Sequence, residues 1–174
     1  VSSSFAAETL SDAFKNGKVN GALKAYYFNL DVNQIMPKTH RDASLLDTGV
    51  QLGYVTDSLY GFKFGTTVQS SYSPFADDDA KNQFGGDMYG PGAVLSELYL
   101  DYTLNKTNVK VGRQGIGAIT PLVRGSRSRM IEESFEGVMV VNKDLPSTVL
   151  TGGYISQFQA RTYNAGGTEP NKLE

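Results

Sequence analysis

The chain has 174 residues and a formal net charge of −2. It contains no cysteine and a single histidine, His40. Thiolate metal sites and disulfides are therefore excluded, and a catalytic or metal site built on several histidines is too. Lysine and arginine are scattered along the chain, which argues against a nucleic-acid partner. We therefore expect no enzyme, no cofactor and no metal site.

Seven strand-like segments follow a short polar lead. The lead covers residues 1–18 and contains one helical turn around Leu10, Ala13 and Phe14. No apolar run approaches the roughly 20 residues of a membrane-spanning helix. The predicted strands run over about 19–30, 45–55, 59–72, 95–104, 107–114, 135–143 and 147–160.

The segments alternate between apolar and polar residues, which gives each strand two unlike faces. The third is the clearest, since Phe62 and Phe64 oppose Lys63. If the sheet crosses a membrane, its apolar face contacts lipid, and we expect Leu52, Phe62, Phe64 and Leu100 there. We expect the other face to form the wall of a lumen, through Lys24, Asp47, Gln51, Lys63, Glu97 and Asp101.

The connections between strands alternate between short and long. The short ones are residues 56–58, 105–107 and 144–146, and the long ones are about 31–44, 73–94 and 115–134. Short periplasmic turns and long extracellular loops are typical of outer-membrane barrels. A soluble β-sandwich also has alternating faces, but its loop lengths need not sort in this way.

Several tyrosines lie near predicted strand ends on the apolar face: Tyr27, Tyr54, Tyr60, Tyr72 and Tyr102. Barrels place aromatic girdles at the two membrane interfaces. Cross-strand aromatic packing in a soluble sheet is the alternative. Because the alternation of short and long connections also indicates a membrane barrel, we favour the interpretation that these tyrosines form aromatic girdles.

Seven strands cannot close a channel, and an open edge in lipid would leave backbone groups unpaired. The predicted fold is an all-β, transmembrane antiparallel barrel of about 16–18 strands when complete. We expect residues 1–18 to be a periplasmic lead. Residues 19–174 are then the N-terminal part of a single barrel domain and supply about seven of its strands.

From about residue 15 onward, the order and spacing of several short motifs carry a resemblance. They are Gly112-Arg113-Gln114, Thr120-Pro121, Ser128-Arg129, Phe135-Glu136-Gly137-Val138, Leu145-Pro146 and Leu150-Thr151-Gly152-Gly153-Tyr154. In these the chain resembles the OprD-like family of Gram-negative outer-membrane porins, including the related epsilonproteobacterial porins. The resemblance implies a monomeric or trimeric channel in the outer membrane, in contact with lipid and lipopolysaccharide. It also implies passage of small hydrophilic solutes, often carboxylates.

In that family the third long loop folds into the lumen and narrows it, which implies a constriction at residues 115–134. This loop carries Arg124, Arg127 and Arg129, and Ser128-Arg129 occupies the family position from which an arginine points into the constriction. Glu132 and Glu133 stand where members often have a proline, which puts the path of the loop in doubt.

Residue chemistry independently favours a selective constriction. A guanidinium group matches a carboxylate bidentately, and rings of charge set the selectivity of a pore. The alternative is that these arginines are solvated charge on the outer surface. Solvated charge is also the favoured interpretation of Asp77, Asp78 and Asp79, over a cation site.

The leading functional hypothesis is a porin for passive diffusion, narrowed by an arginine-bearing loop. The second is an outer-membrane β-protein without a pore that acts as an adhesin or envelope anchor. A soluble β-sandwich that binds a ligand is the third.

Overall fold

The computed structural model describes residues 7–33, 40–84, 88–116, 130–160 and 171–172. These ranges form one antiparallel sheet and two short helices. The helices are α1 (Leu10–Lys15) and α2 (Asp78–Phe84). The strands are β1 (Lys18–Asn33), β2 (His40–Val55), β3 (Phe62–Ser71), β4 (Gly92–Leu104), β5 (Thr107–Gln114), β6 (Ser134–Asn142), β7 (Leu150–Gln159) and β8 (Asn171–Lys172).

Each strand pairs with the next one in the chain, so the order of strands in the sheet is their order in the sequence. Every pairing is antiparallel. This is the up-and-down arrangement, in which neighbouring strands are also neighbours in sequence. The seven predicted strands are confirmed, but β7 begins at Leu150, so the connection after β6 covers residues 143–149 and is longer than the predicted turn at 144–146. The short β8 pairs with the end of β7.

The sheet has two faces of opposite polarity. The first, called the apolar face, carries Val19, Leu23, Val50, Leu52, Tyr54, Phe62, Val68, Leu98, Leu100, Val111, Val138 and Tyr154. The second, called the polar face, carries Lys24, Asp47, Gln51, Lys63, Thr67, Gln69, Glu97, Tyr99, Asp101 and Lys110.

Exposure on the two faces is the reverse of that in a water-soluble protein. Leu23 is 87% exposed and Leu52 is 57% exposed, whereas Gln69 and Asp47 are only 2% and 1% exposed. Soluble proteins bury apolar side chains and expose charged ones, and large exposed apolar patches mark interaction surfaces. The apolar face therefore needs a cover of lipid or protein.

The first tight turn lies later in the chain than the sequence predicted. Strand β3 begins at Phe62, and the reversal is made by Tyr60 and Gly61, with φ of 50° and 87°. Two successive positive φ angles match the right-handed twist of a hairpin. A Cβ atom on Gly61 would lie 2.6 Å from the Thr103 carbonyl oxygen, so both the backbone angle and the neighbouring strand favour glycine here.

The long connections differ from the prediction in two respects. Strand β1 continues to Asn33 and β2 begins at His40, so the connection is shorter than the predicted 31–44. The second connection contains α2, which sequence periodicity did not reveal. The third leaves the sheet after Gln114 and returns at Ser134, close to the predicted 115–134, and it is called the 115–134 loop below.

Two apolar clusters hold these connections against the sheet. In the first, Ala80 and Phe84 of α2 pack on Leu45 of β2, which lies in phase with the polar face. In the second, Ile116 packs against Phe135 and Met139. No helix among the described residues is long and apolar enough to cross a bilayer.

Helix α1 confirms the predicted helical turn near the N-terminus. Its first turn is capped by Thr9, whose hydroxyl oxygen accepts a hydrogen bond from the Asp12 amide at 3.1 Å. The Ala13 carbonyl accepts from the Asp57 amide at 2.9 Å. These contacts hold α1 against the tight-turn end of the sheet, beside the connection between β2 and β3.

Candidate functional site

The six residues predicted to line a lumen share the polar face. Cross-strand register places Lys63 opposite Asp101, and Gln51 opposite Gln69. The complete predicted set is Lys24, Asp47, Gln51, Lys63, Glu97 and Asp101, and all six lie in this phase. Their role as the wall of a lumen stays a prediction, but the sheet gathers them on one surface.

The 115–134 loop begins over this face. The Gly115 amide donates a hydrogen bond of 2.9 Å to Oε1 of Glu97. The other carboxylate oxygen of Glu97 accepts from the Thr67 hydroxyl, also at 2.9 Å. Ile116, the next residue, is 1% exposed within its apolar cluster. The start of the loop is thus fixed by one charge-assisted hydrogen bond and one buried side chain.

The end of the loop is held over the opposite side of the polar face. Lys24 Nζ on β1 donates to the Met130 carbonyl oxygen at 3.2 Å and to Oε1 of Glu132 at 3.3 Å. Gln69 Oε1 on β3 lies 3.4 Å from Lys24 Nζ and accepts from the Glu132 amide at 3.0 Å. We call this set of residues, Lys24, Gln69, Met130 and Glu132, the Lys24 junction.

The Lys24 junction is largely shielded from solvent. The side chains of Lys24 and Glu132 are 14% and 23% exposed. A charged pair in such a setting interacts more strongly than one on an open surface, because water screens it less. The contacts to Gln69 and the Met130 carbonyl also satisfy donors that burial would otherwise leave unpaired.

Both described ends of the 115–134 loop therefore lie on the polar face. The loop leaves from β5 beside β4, and its last residues reach β1 and β3 before entering β6. Arg124, Arg127 and Arg129 lie outside the described residues. Of the predicted constriction set, Glu132 belongs to the Lys24 junction and Glu133 follows it.

A small cavity of about 170 Å³ lies where the two ends of the loop meet the sheet. Its lining includes Asn20, Gln51, Glu97, Tyr99 and Glu133. These side chains offer hydrogen-bonding groups and carboxylates, so the space between loop and sheet suits water or a polar solute rather than an apolar ligand.

A larger, open cavity of about 540 Å³ lies near the tight-turn end. Asp101 lines it with Lys106, Lys110 and Lys143. Lys110 Nζ lies 4.0 Å from the centre of the Tyr99 ring, a cation–π contact. This end of the polar face therefore combines one carboxylate with three ammonium groups.

The carboxylates of the second long connection bind groups within the same connection. Asp77 Oδ1 accepts a hydrogen bond of 2.7 Å from the Ala80 amide at the start of α2, and Asp78 pairs with Lys81 at 3.0 Å. The hydrogen bond to Asp78 raises the pKa of the Lys81 ammonium group. Among the described residues no group of three acidic, histidine or cysteine side chains could hold a metal ion.

Asp47 is fixed at the base of the same connection. Both of its carboxylate oxygens accept from the Ser71 hydroxyl, at 2.9 and 2.8 Å, and Oδ1 also accepts from the Ser73 hydroxyl at 3.2 Å. Its side chain is therefore held against β3. An anion in this position adds negative potential to the polar face without being free to move.

Arg113 has a role that sequence reasoning missed. Strand alternation alone would put Arg113 in phase with Val111 of the apolar face. In the structure its side chain is 12% exposed, and its Nε and Nη2 atoms donate to Oε1 of Glu136 at 2.8 and 2.6 Å. Its Nη1 donates to the Leu95 carbonyl oxygen at 2.7 Å and to Gln159 at 3.1 Å. Glu136 lies across the long 115–134 loop in sequence, so no local signal pairs it with Arg113.

No family model and no curated protein matches the sequence. Solved structures do match the fold. OccK9 (OpdG) of Pseudomonas aeruginosa has a TM-score of 0.73 at 17% identity, covering 93% of this chain and 42% of that one. OccAB3 of Acinetobacter baumannii has a TM-score of 0.72 at 15% identity, covering 91% and 40%. OpdK of P. aeruginosa, solved with vanillate, has a TM-score of 0.69 at 16% identity, covering 92% and 40%.

These structures are outer-membrane β-barrel porins of the OprD and Occ type. The chain therefore has the fold of part of such a porin, and the resemblance found in the sequence is confirmed at the level of fold. It spans about two fifths of the length of these three structures.

Proposed function

We propose that this chain is part of an outer-membrane porin for passive diffusion of small hydrophilic solutes, with the 115–134 loop folded into the lumen. The observation that carries the proposal is the attachment of both loop ends to the polar face, through Glu97 at one end and Lys24 at the other. Ordinary surface loops run over the outside of a protein. This one begins and ends over the face that a barrel turns inward.

The chemistry of the polar face favours a water-filled interior over a solid one. On this face Lys63 is exposed, and Lys110 and Asp101 are partly exposed. Charges enclosed in a dry interior would lose their hydration at a cost of several kcal/mol each. A lumen that holds water removes that cost, and polar interiors are typical of porins.

We further propose that Arg129, with Arg124 and Arg127, faces the constriction and favours carboxylate-bearing solutes. A loop anchored at both ends over the polar face keeps its central residues near the path of a solute. OpdK, one of the porins with this fold, has been solved with vanillate, which is itself a carboxylate. Three arginines in a confined, weakly screened space would attract such an anion.

The first experiment separates a pore from an adhesin or envelope anchor. The full-length protein is purified, inserted into planar bilayers and recorded at constant voltage. A porin gives stepwise, ohmic current increments. A complete absence of increments, from protein whose heat-modifiable gel mobility shows a folded barrel, would favour the non-pore alternative.

The second experiment tests the arginines. Arg129→Ala in the full-length protein should raise single-channel conductance and shift the reversal potential in a salt gradient toward cation preference. Lys106→Ala removes a positive charge from a tight turn and serves as the matched control, with a smaller effect expected. Unchanged conductance and reversal potential in Arg129→Ala would identify Arg129 as ordinary surface charge.

A further inference from the structure

Helix α1 lies beside the apolar face of the sheet. The Phe14 ring stacks on Tyr54, with ring centres 6.4 Å apart and planes 14° from parallel. Tyr54 is in phase with Leu52 and Val50, which belong to the apolar face. The Tyr54 hydroxyl also donates to the Phe14 carbonyl oxygen at 2.5 Å. Helix α1 is thus attached outside the polar face and not within it.

The attachment requires a close approach at one position. A Cβ atom on Gly17 would lie 2.2 Å from the Tyr54 hydroxyl oxygen. About 100° around the helix from Phe14, Ala13 is 2% exposed and its carbonyl accepts from the Asp57 amide. The orientation of α1 is therefore fixed by contacts on two sides.

This orientation leaves one side of α1 both apolar and open. Leu10 is 64% exposed and Phe14 is 48% exposed, and a spacing of four places them on one side of the helix. Asp12 lies on the opposite side, about 160° away from each at 3.6 residues per turn. Nothing among the described residues covers Leu10.

Exposed basic and aromatic side chains occur in the segments next to α1. Lys15 and Lys18 are exposed at the end of the helix and the start of β1. Tyr60, in the neighbouring tight turn, is 79% exposed. Aromatic rings and lysines are the groups that accumulate at the interface between acyl chains and headgroups.

We propose that α1 is an interfacial anchor, with Leu10 and Phe14 inserted among the acyl chains of the leaflet at the tight-turn end of the sheet. Lys15 and Lys18 then lie at the level of the phospholipid phosphates. The occupant is phospholipid because the open side of α1 continues the apolar face, through Phe14 and Tyr54, without a polar break. The proposal rests on the proposed function, since it needs the apolar face to contact lipid.

Fluorescence quenching tests this directly, because these 174 residues contain no tryptophan. Single tryptophans are introduced into the full-length protein by Leu10→Trp, Asp12→Trp and Leu100→Trp, with any tryptophan elsewhere replaced by phenylalanine. Asp12→Trp keeps the amide that donates to the Thr9 hydroxyl oxygen and loses only the carboxylate that accepts from that hydroxyl. The proteins are reconstituted into phosphatidylethanolamine and phosphatidylglycerol vesicles, whose chains carry bromine either near the headgroup or near the methyl end.

The proposal expects Leu10→Trp to lose emission mainly to bromine near the headgroup, since interfacial helices lie about 5–10 Å deep. Leu100→Trp reports the apolar face itself and is expected to be quenched by chain bromine. Asp12→Trp is expected to be quenched least. If Leu100→Trp is quenched but Leu10→Trp is not, or if Leu10 and Asp12 are quenched equally, the interfacial anchor is wrong while the porin proposal stands. If Leu100→Trp is also unquenched, the proposed membrane location itself fails.

Discussion

The second and third long connections both meet the polar face, but they are held there by different forces. The second connection is attached through α2, whose Ala80 and Phe84 pack on Leu45. The 115–134 loop ends in the Lys24 junction, where an ammonium group, an amide and a carboxylate share hydrogen bonds. The second connection is attached mainly by apolar burial, whereas the end of the 115–134 loop combines burial of Met130 and Ile131 with the charged Lys24 junction.

The difference determines how each connection responds to its surroundings. Apolar packing is not weakened by salt screening, and it weakens by about 1 kcal/mol for each buried methylene group that is removed. A charged junction weakens as ionic strength rises, and it responds to any charge that approaches. In the proposed porin, we infer that the second connection is a fixed element, while the end of the 115–134 loop is sensitive to charged solutes near the Lys24 junction.

The largest effect is expected from Phe84→Ala. Truncating a buried phenylalanine lowers the free energy of packing by about 3 kcal/mol or more. The fraction of molecules in which α2 is detached from the sheet should therefore rise roughly a hundredfold. Cleavage of this connection by a lysine-specific protease at Lys81 should accelerate accordingly. Phe75→Ala, in the same connection but at a position 81% exposed, is the control and should change little. Equal acceleration in both variants would contradict the apolar attachment.

A smaller effect is expected from Lys24→Met, which removes the donor at the centre of the junction. Hydrogen bonds to charged groups contribute about 1.5–3 kcal/mol, so amide hydrogen exchange at Glu132 should accelerate by about tenfold or more. The Gly115 amide, held by Glu97 at the other end, should exchange as before. Lys63→Met, on the same face and exposed, controls for loss of charge. Acceleration at Gly115 by the same factor would mean that the two ends are not independent.

The coupling free energy between the Lys24 and Glu132 side chains is expected to be smaller than the effect of Lys24→Met. A double-mutant cycle with Lys24→Met and Glu132→Gln, read out by exchange at the Glu132 amide, isolates it. Because both side chains are mostly shielded, we expect a coupling of about 0.5–1.5 kcal/mol, more than an open surface pair gives. Strict additivity of the two substitutions would assign the junction to Gln69 and the Met130 carbonyl instead.

The sequence predicted the sheet well because alternation is a local signal. The opposition of Phe62 to Lys63, or of Leu100 to Asp101, is set by the two-residue repeat of a strand and holds in the structure. The helical turn around Leu10 and Ala13 was also found from nearby residues. These features need no knowledge of distant partners.

The sequence did not predict contacts that depend on strand register or on the path of a long connection. In a regular strand Phe158 would share a face with Tyr154, but a register shift opposite Glu136 and Gly137 of β6 intervenes, and Phe158 packs on Phe135. A bulge of this kind inserts one residue and changes the phase. Likewise, the contacts of Lys24 with Glu132 join residues 108 positions apart, and only the path of the loop brings them together.

The smallest expected effect comes from salt alone. Raising ionic strength from about 0.1 M to 1 M shortens the Debye length from roughly 10 Å to 3 Å. Screening should then weaken the Lys24 junction by a few tenths of a kcal/mol, and exchange at the Glu132 amide should rise about twofold. The amides of α2 should show no such rise, since Phe84 and Ala80 are held by apolar contact, which salt does not weaken. The comparison within one sample removes differences in intrinsic exchange between proteins. If α2 and Glu132 respond to salt alike, the division between an apolar and a charged attachment is wrong. If only Glu132 responds, ionic strength at the polar face adjusts how firmly the end of the loop is held.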